Sequence, residues 1–454
     1  MPATKQVDAI VLGLGPGGED VAGRLAQAGL SVVAVDERLV GGECPYWGCI
    51  PSKAMVRSAG LLAEARRVPG MAGTIDAVAD WRPVAARVRE LTDTWDDTVA
   101  VERLEGMGAT FVRGRGRLAS PDTVTVGDRR FRAGRAVVVA TGAAASVPPV
   151  PGLAATPYWT NRAAIECAVL PASLVVLGGG AVGLELAQVF ARFGVTVSVV
   201  ELAPRLLATE EPEVSSLVAD ALVADGTTVH AGVSVSSVAH GAGGFTLDLG
   251  PGGEVTGEGL LVATGRRPDL AAIGAGILGI DEGGGAVPVD DRLRVAPGVW
   301  AVGDVTGKGA FTHVAVHQAR IAAADILGQD PPAADYRALP RVTFTDPEIG
   351  AVGMTEAQAR AAGLAVRIGT ADVAASARGW IHGPGNAGLV KLVEDERRGV
   401  LVGATSAGPA GGEVLGMLAL AVHAEVPTAT LGRMIYAYPT FHRAIEAAVD
   451  DLTG

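Results

Sequence analysis

The chain is 454 residues long, 49% hydrophobic and 19% charged, with a formal net charge of −12 at pH 7. At about 150 residues per domain the length predicts roughly three domains, each able to bury a core without covalent help. The acidic balance excludes a nucleic-acid partner, which a basic face would serve, and no apolar run reaches the ~18–20 residues of a membrane span. The opening MPATKQVDAI runs into a strand-like pattern without the apolar region of a secretion signal, so a cytoplasmic chain with no membrane partner is expected.

Residues 7–37 carry an apolar run (Ile10–Leu12), then Gly13, Gly15 and Gly18 in GxGxxG spacing, a helix-period stretch, and a second apolar run ending at Asp36. Such glycines allow a tight turn and close backbone approach. The helix that follows offers unpaired N–H groups and a positive dipole end to a pyrophosphate, and an acid placed as Asp36 is holds a ribose hydroxyl. GGECPYWGCIPSK (41–53) then sets Cys44 and Cys49 five positions apart with Lys53 after them, in a chain whose 37 basic residues include only four lysines, Lys5, Lys53, Lys308 and Lys391. A staple, a metal half-site and a redox-active pair are the three readings. A disulfide closing so short a loop contributes only roughly 2 kcal/mol. Zinc wants further ligands, and no second cysteine pair exists. The redox-active reading fits best. An ideal helix holds residues i and i+5 farther apart than the ~7 Å between Cα atoms that a disulfide tolerates. Gly42, Pro45 and Gly48 would supply a distorted helix start, and thiolates there would have lowered pKa values.

VVVATG (137–142) places a strand before Thr141 and Gly142, and the proline-rich VPPVPG (147–152) reads as an extended hinge. Residues 173–201 repeat the first motif with Gly178, Gly180, Gly183 and, eighteen residues on, Glu201; LLVATG (260–265), ending at Gly265, repeats the strand and turn. Duplication is the simplest account, and it implies two dinucleotides. An acid at Glu201 accepts from a free 2′-hydroxyl and repels a 2′-phosphate, which favours NADH and leaves NADPH possible; Arg205 nearby reads as a solvated loop charge. GPGG (250–253) between alternating stretches predicts a hairpin, Cys167 a small buried residue. AVGDV (301–305), with Gly303 and Asp304, returns the chain to its first unit. His313 and His317 lack a third ligand and read as packing or solvent histidines, so no metal site is expected. From about 335 strands precede two alanine-rich helices, 412–424 and 441–450.

Two such folds flanking a CxxxxC–lysine segment resemble the class I flavoprotein disulfide reductases, the group of dihydrolipoamide dehydrogenase, glutathione reductase and mercuric reductase. The resemblance covers essentially the whole chain, including ATGAAASVPPVPG (140–152), VWAVGDVTG (299–307), VTFTDPEIGAVGMTE (342–356) and YAYPTFHRAIEAA (436–448). It implies an α/β protein with two Rossmann-like dinucleotide-binding domains plus an α+β C-terminal dimerisation domain: FAD on 1–152 and 281–334, NAD(P) on 153–280, and a homodimer interface on 335–454 whose partner completes each active site. It also implies that Cys44 attacks substrate, that Cys49 lies against the flavin, and that Lys53, paired with Glu185, sets a cation near the flavin. Asp304 would hold the ribityl chain, and Thr312 would N-cap a helix aimed at the flavin.

One segment departs from the family pattern. Where the partner subunit normally offers His-Pro-Thr-x-x-Glu, this chain has Tyr438-Pro439-Thr440-Phe441-His442-Arg443. A tyrosine with a pKa near ~10 donates a hydrogen bond but is no base at neutrality. Dihydrolipoamide oxidation is therefore disfavoured, and a small-molecule disulfide with a good thiolate leaving group, or another electron acceptor, is expected. His442 is either a substitute base or an exposed first-turn residue. Thr440 would cap the last helix, while Arg443 would pair with Glu446 or hold an anionic substrate. Tyr46 and Trp47 would shape an aromatic pocket or fill the interface. Alternatives on the same scaffold are a mercuric-type metal-ion reductase, against which the tail AAVDDLTG offers no cysteine pair, a soluble transhydrogenase and a quinone reductase. Intact cysteines and glycine loops speak against a nucleotide-binding protein without turnover.

Overall fold

The apolar runs before the glycine motifs form buried parallel strands, as near-continuous Val/Ile/Leu stretches do when both faces of a sheet are covered. In the computed structural model, which describes residues 4–453, the chain divides into two units. One comprises the chain up to Pro51, Arg87–Ser146 and Arg266–Asp335; the other comprises Ser52–Ala86, Val147–Gly265 and the chain from Tyr336 on.

In the first unit, strands Arg294–Ala296, Val299–Ala301, Arg129–Val139, Thr4–Leu12, Val32–Asp36 and Thr110–Arg113 lie side by side in that order. All neighbours run parallel except the outermost pair at the Arg294–Ala296 edge. Ile10 stands between Val33 and Val137, all three fully buried. Helices Pro16–Gln27 and Thr312–Ile326 share one core with this sheet, Val21, Leu25, Ala319 and Ile326 packing with Ala9, Val11, Ala34 and Val138.

In the second unit, strands Thr228–Ala231, Thr196–Glu201, Ser173–Leu177 and Gly259–Val262 form a parallel sheet beside helix Ala181–Arg192. The hairpin expected at 250–253 joins Gly244–Asp248 to Glu254–Gly257, and a third strand, Ser237–Gly241, pairs with the first of these. Next along the chain comes a five-stranded antiparallel sheet, in the order Pro340–Thr343, Glu348–Gly353, Val400–Gly408, Leu389–Asp395, Val366–Asp372. Helices Gly411–His423 and Arg443–Thr453, near the spans the alanine-rich pattern predicts, bury Leu415, Leu418, Ile445 and Ala448 in its core. The architecture is thus α/β, with two parallel sheets each opening on a glycine motif and an α+β C-terminal region.

Near the N-terminus of helix Pro212–Ala224, Lys391, whose side chain is 4% exposed, reaches Glu211 (3.0 Å), Glu213 (2.9 Å) and Glu356 (3.0 Å). Burial alone would lower the ammonium group's pKa, but the hydrogen bonds of Glu213, Glu211 and Glu356 outweigh it and push it up. Arg341 forks onto Glu210 beside it (2.6 and 2.8 Å). Among the described residues no helix is long and apolar enough to cross a membrane.

Candidate active site

The two glycine motifs are built alike, bond for bond. The Gly13 N–H donates to Val35 O and the Gly178 N–H to Val200 O, each at 2.8 Å. A Cβ on Gly13 would come within 2.4 Å of Ala140 O, and one on Gly178 within 2.4 Å of Ala263 O. A Cβ on Gly18 or Gly183 would strike the Gly13 or Gly178 carbonyl at 1.9 and 2.2 Å, so no side chain fits there. Gly15 and Gly180 differ, since a Cβ on either meets nothing within 4 Å. They N-cap helices Pro16–Gln27 and Ala181–Arg192 without a side-chain cap. The first-turn amides and dipole of each helix therefore open onto free space, a cradle that fits a pyrophosphate.

The acids close each loop in the same way. Asp36 accepts from the Leu14 and Arg38 N–H groups, each at 2.7 Å. Glu201 accepts from Gly179 and from Ala203 (2.6 Å), the corresponding positions. Burial pushes the Asp36 carboxyl up, against the two amide bonds. Arg205 is not the solvated charge expected. Its guanidinium donates to the Leu207, Ala208 and Glu210 carbonyls and to the Ser215 hydroxyl, because the loop folds its carbonyls around it. Gly142 and Gly265 turn at positive φ (66° and 115°), with Thr141 exposed beside the first.

Cys44 lies in the short helix Glu43–Tyr46, and Cys49 opens helix Cys49–Arg67. Gly42 supplies the break before them with φ 68°. Neither cysteine is joined in a disulfide, and both are partly buried. The lowered pKa expected of the thiols fails for Cys44: its hydrogen bond with Cys49, and then burial, push it far up. A pair sharing one bond titrates together, and Cys44 keeps its proton. Cys49 Sγ also lies 3.4 Å from Thr312 Oγ1. Thr312 is not an N-cap, since the extended residue Phe311 (φ −132°, ψ 142°) caps that helix and Thr312 is its first residue. Its hydroxyl is thereby turned to the thiols instead of to its own helix.

Arg266 sits between Asp304 (3.8 Å) and Glu43 (3.7 Å), and burial pushes the Asp304 carboxyl up. Gly303, at φ 81°, donates its N–H to Gln318 Oε1 (2.6 Å). Tyr46 is buried and fills the core, so it lines no aromatic pocket, and burial with Asp97 and Asp93 pushes its hydroxyl up to about 12. Trp95 donates its indole N–H to the Tyr46 carbonyl (3.2 Å) from a turn in which Asp93, Thr94 and Trp95 all have positive φ.

Lys53 Nζ donates to Glu185 Oε2 at 2.7 Å. Glu185 is buried despite its place between Leu184 and Leu186, and its Oε1 accepts the Phe344 N–H (2.9 Å). The Phe344 ring centre lies 4.7 Å from Lys53 Nζ, a cation–π contact that no spacing pattern signalled.

In the C-terminal segment Tyr438 is 70% exposed. Thr440 does not cap the last helix. Its hydroxyl donates to Ala437 O (2.8 Å), and the helix begins only at Arg443, after a turn containing the half-buried His442. Arg443 pairs with Glu446 (2.7 Å) and lies 5.4 Å from the Tyr438 ring centre. Cys167 is buried with its thiol on Val169 O (3.0 Å). His313 stacks on Phe311 (5.1 Å), and among the described residues no three His, Cys, Asp or Glu side chains gather to hold a metal.

Two dinucleotide cradles and a cysteine pair at a helix start define a flavoprotein oxidoreductase of the disulfide-reductase class. The chain belongs to the pyridine nucleotide-disulphide oxidoreductase family, whose main domain matches residues 7–319 and whose dimerisation domain matches residues 339–449. Dihydrolipoyl dehydrogenase of Chlorobaculum tepidum is 33% identical over 98% of this chain and 97% of its own, and mercuric reductase of Streptomyces lividans 33% identical over 98% and 96%. Among solved structures, a Cu(II) complex of the HOCl-induced flavoprotein disulfide reductase RclA from Escherichia coli superposes with TM-score 0.86 at 26% identity, covering 98% of this chain and 99% of that one. The protein is an enzyme that uses FAD and a pyridine nucleotide and carries the family's dimerisation domain for self-association.

Proposed function

We propose that the enzyme passes electrons from NADH to the Cys44–Cys49 pair and on to a disulfide that departs as an acidic thiol, and that dihydrolipoamide is not its substrate. The supporting observation is the C-terminal segment: Tyr438 stands where the family has its histidine base, and Arg443, in place of the glutamate, is spent on Glu446. FAD, when bound, supplies the two-electron relay between nicotinamide and sulfur. Gly13, Gly15, Gly18 and Asp36, with Thr141, Gly142, Gly303 and Asp304, would hold it; Gly178, Gly180, Gly183, Glu201 and Gly265 would hold the nicotinamide dinucleotide. NADH is favoured because Glu201 is fixed by two amides and Arg205 is already engaged.

Cys44, as thiolate, attacks one substrate sulfur and expels the other as thiolate. Cys49 then attacks the Cys44 sulfur, releases the second thiolate and restores the Cys44–Cys49 disulfide, so two electrons leave the pair for each substrate bond broken. The hydrogen bond with Cys49 holds the proton on Cys44 in the resting pair, so that proton has to leave before Cys44 attacks. Lys53, held by Glu185, supplies positive charge one helical turn beyond Cys49. Across the dimer, the segment bearing Tyr438 and His442 would complete the partner copy's site. A second reading, reduction of a thiophilic metal ion taken as substrate by the same thiols, is favoured by the similarity to mercuric reductase and to a protein solved with Cu(II).

Steady-state assays of NADH oxidation by an aromatic disulfide or Hg(II), and of NAD+ reduction by dihydrolipoamide, decide between these. Turnover of the aromatic disulfide, abolished by Cys44→Ser, is expected. Tyr438→His is expected to raise dihydrolipoamide oxidation by about 10²-fold, the scale of a general base. Efficient dihydrolipoamide oxidation by the unaltered enzyme overturns the reading, and turnover of Hg(II) alone moves it to the metal ion.

A further inference from the structure

On helix Ala181–Arg192, Glu185, Gln188 and Arg192 follow at i, i+3 and i+7 and so share one face. That face is buried, the three residues being 4%, 4% and 3% exposed, where a helix of this kind normally presents leucines. Buried polar groups persist only when hydrogen-bonded. Here a single three-residue stretch, 344–346, gives all three of them partners. Glu185 Oε1 accepts the Phe344 N–H (2.9 Å). Gln188 takes both backbone groups of Asp346, accepting its N–H (2.7 Å) and donating to its C=O (3.0 Å). Arg192 donates to Asp346 Oδ2 (2.8 Å), and both Gln188 and Arg192 donate to Asp225 Oδ2 (2.9 and 2.8 Å). The same Asp346 oxygen accepts from Arg67 (2.6 Å), the last residue of the helix that Cys49 opens.

We propose that Gln188, Arg192 and Asp346 are positioning residues that fix the Lys53 ammonium for the redox centre. With Asp346 fastened at its N–H, C=O and carboxylate, Phe344 two residues earlier cannot draw away. Its N–H keeps the Glu185 carboxylate oriented, and its ring supplies a second face to the Lys53 cation. Removing the grip on Asp346 frees Glu185 to turn, and Lys53 loses its counter-charge without either residue being altered. The proposal rests on the role given above to Lys53 and Glu185.

The test uses FAD-loaded enzyme carrying Gln188→Leu or Asp346→Asn, with Lys53→Met alongside. Two quantities are read: the midpoint potential of the bound flavin against a reference dye, and the acetylation rate of each lysine by mass spectrometry, which four lysines make easy to assign. Lys53 is expected to acetylate about tenfold faster in both variants, as the coupling within one hydrogen-bond network allows, with buried Lys391 still protected. The flavin potential is expected to shift in the direction that Lys53→Met shifts it. Unchanged Lys53 labelling, or Lys53 and Lys391 rising together as in general loosening, overturns the proposal. A potential unmoved by Lys53→Met overturns the role of Lys53 itself, and this proposal with it; a potential moved by Lys53→Met alone overturns only the positioning by Gln188, Arg192 and Asp346.

Discussion

The glycine motif at residues 13–36 and its counterpart at 178–201 have the same skeleton down to the amides that hold their acids, yet they answer to different surroundings. The first ends in an aspartate whose carboxyl burial pushes up, and its chain runs on through Gly41 and Gly42 to the cysteines. The second ends in a longer glutamate and runs into a loop whose carbonyls hold Arg205. Glycine placement therefore gives both motifs the same cradle, while the segments that leave their second strands differ in what they surround.

The sharpest way to break this equivalence is to fill one cradle at a time. Gly18→Ala drives a Cβ to 1.9 Å from a carbonyl; the protein is expected to purify without flavin colour and to lose about 3 kcal/mol, read by absorbance and urea unfolding. Gly183→Ala should keep the colour while NADH no longer bleaches it. Flavin lost from the second variant and retained by the first would reverse the two assignments. Glu201→Ser comes next, with an expected fall of about tenfold in kcat/KM for NADH (about 1.4 kcal/mol) and a rise in the NADPH-to-NADH ratio. Arg205→Met should leave that ratio alone and lower stability by about 1–3 kcal/mol through carbonyls left without a donor; a changed ratio would mean that Arg205 touches the coenzyme.

The smallest effect lies at Asp36. Its folded pKa stands above the ordinary 3.8, so the native state binds the proton more tightly than the unfolded chain. Its contribution is present below 3.8 and is lost as pH rises through the folded value. Thermal melts upward from about pH 4 should show this decline in the native protein and a flatter profile in Asp36→Asn.

The glycine loops, both acids, the hairpin and helices Gly411–His423 and Arg443–Thr453 were legible because each is written in consecutive residues: a turn, a period, an acid at fixed distance. The pairing of Lys53 with Glu185 was reachable only through resemblance, for 132 residues separate them. The features that escaped are those that distant segments bring together. Thr312 reaches Cys49 across 263 positions, and Phe344 reaches Glu185 across 159. The upward shift of Cys44 escaped for another reason. A helix start lowers a lone thiol's pKa, but a second thiol within hydrogen-bond reach reverses the sign.

Lys391 and its three glutamates give the loop after Glu201 a property that surface pairs lack. Dissolved salt screens charges that water reaches, over about 8 Å at 0.15 M, and so weakens exposed pairs such as Arg82 with Asp80. The Lys391 side chain and its Glu211 partner are 4% and 3% exposed, so counter-ions reach that pair far less than they reach the exposed ones. The anchorage of helix Pro212–Ala224 on the C-terminal sheet is therefore expected to weaken less in concentrated salt than those exposed pairs do.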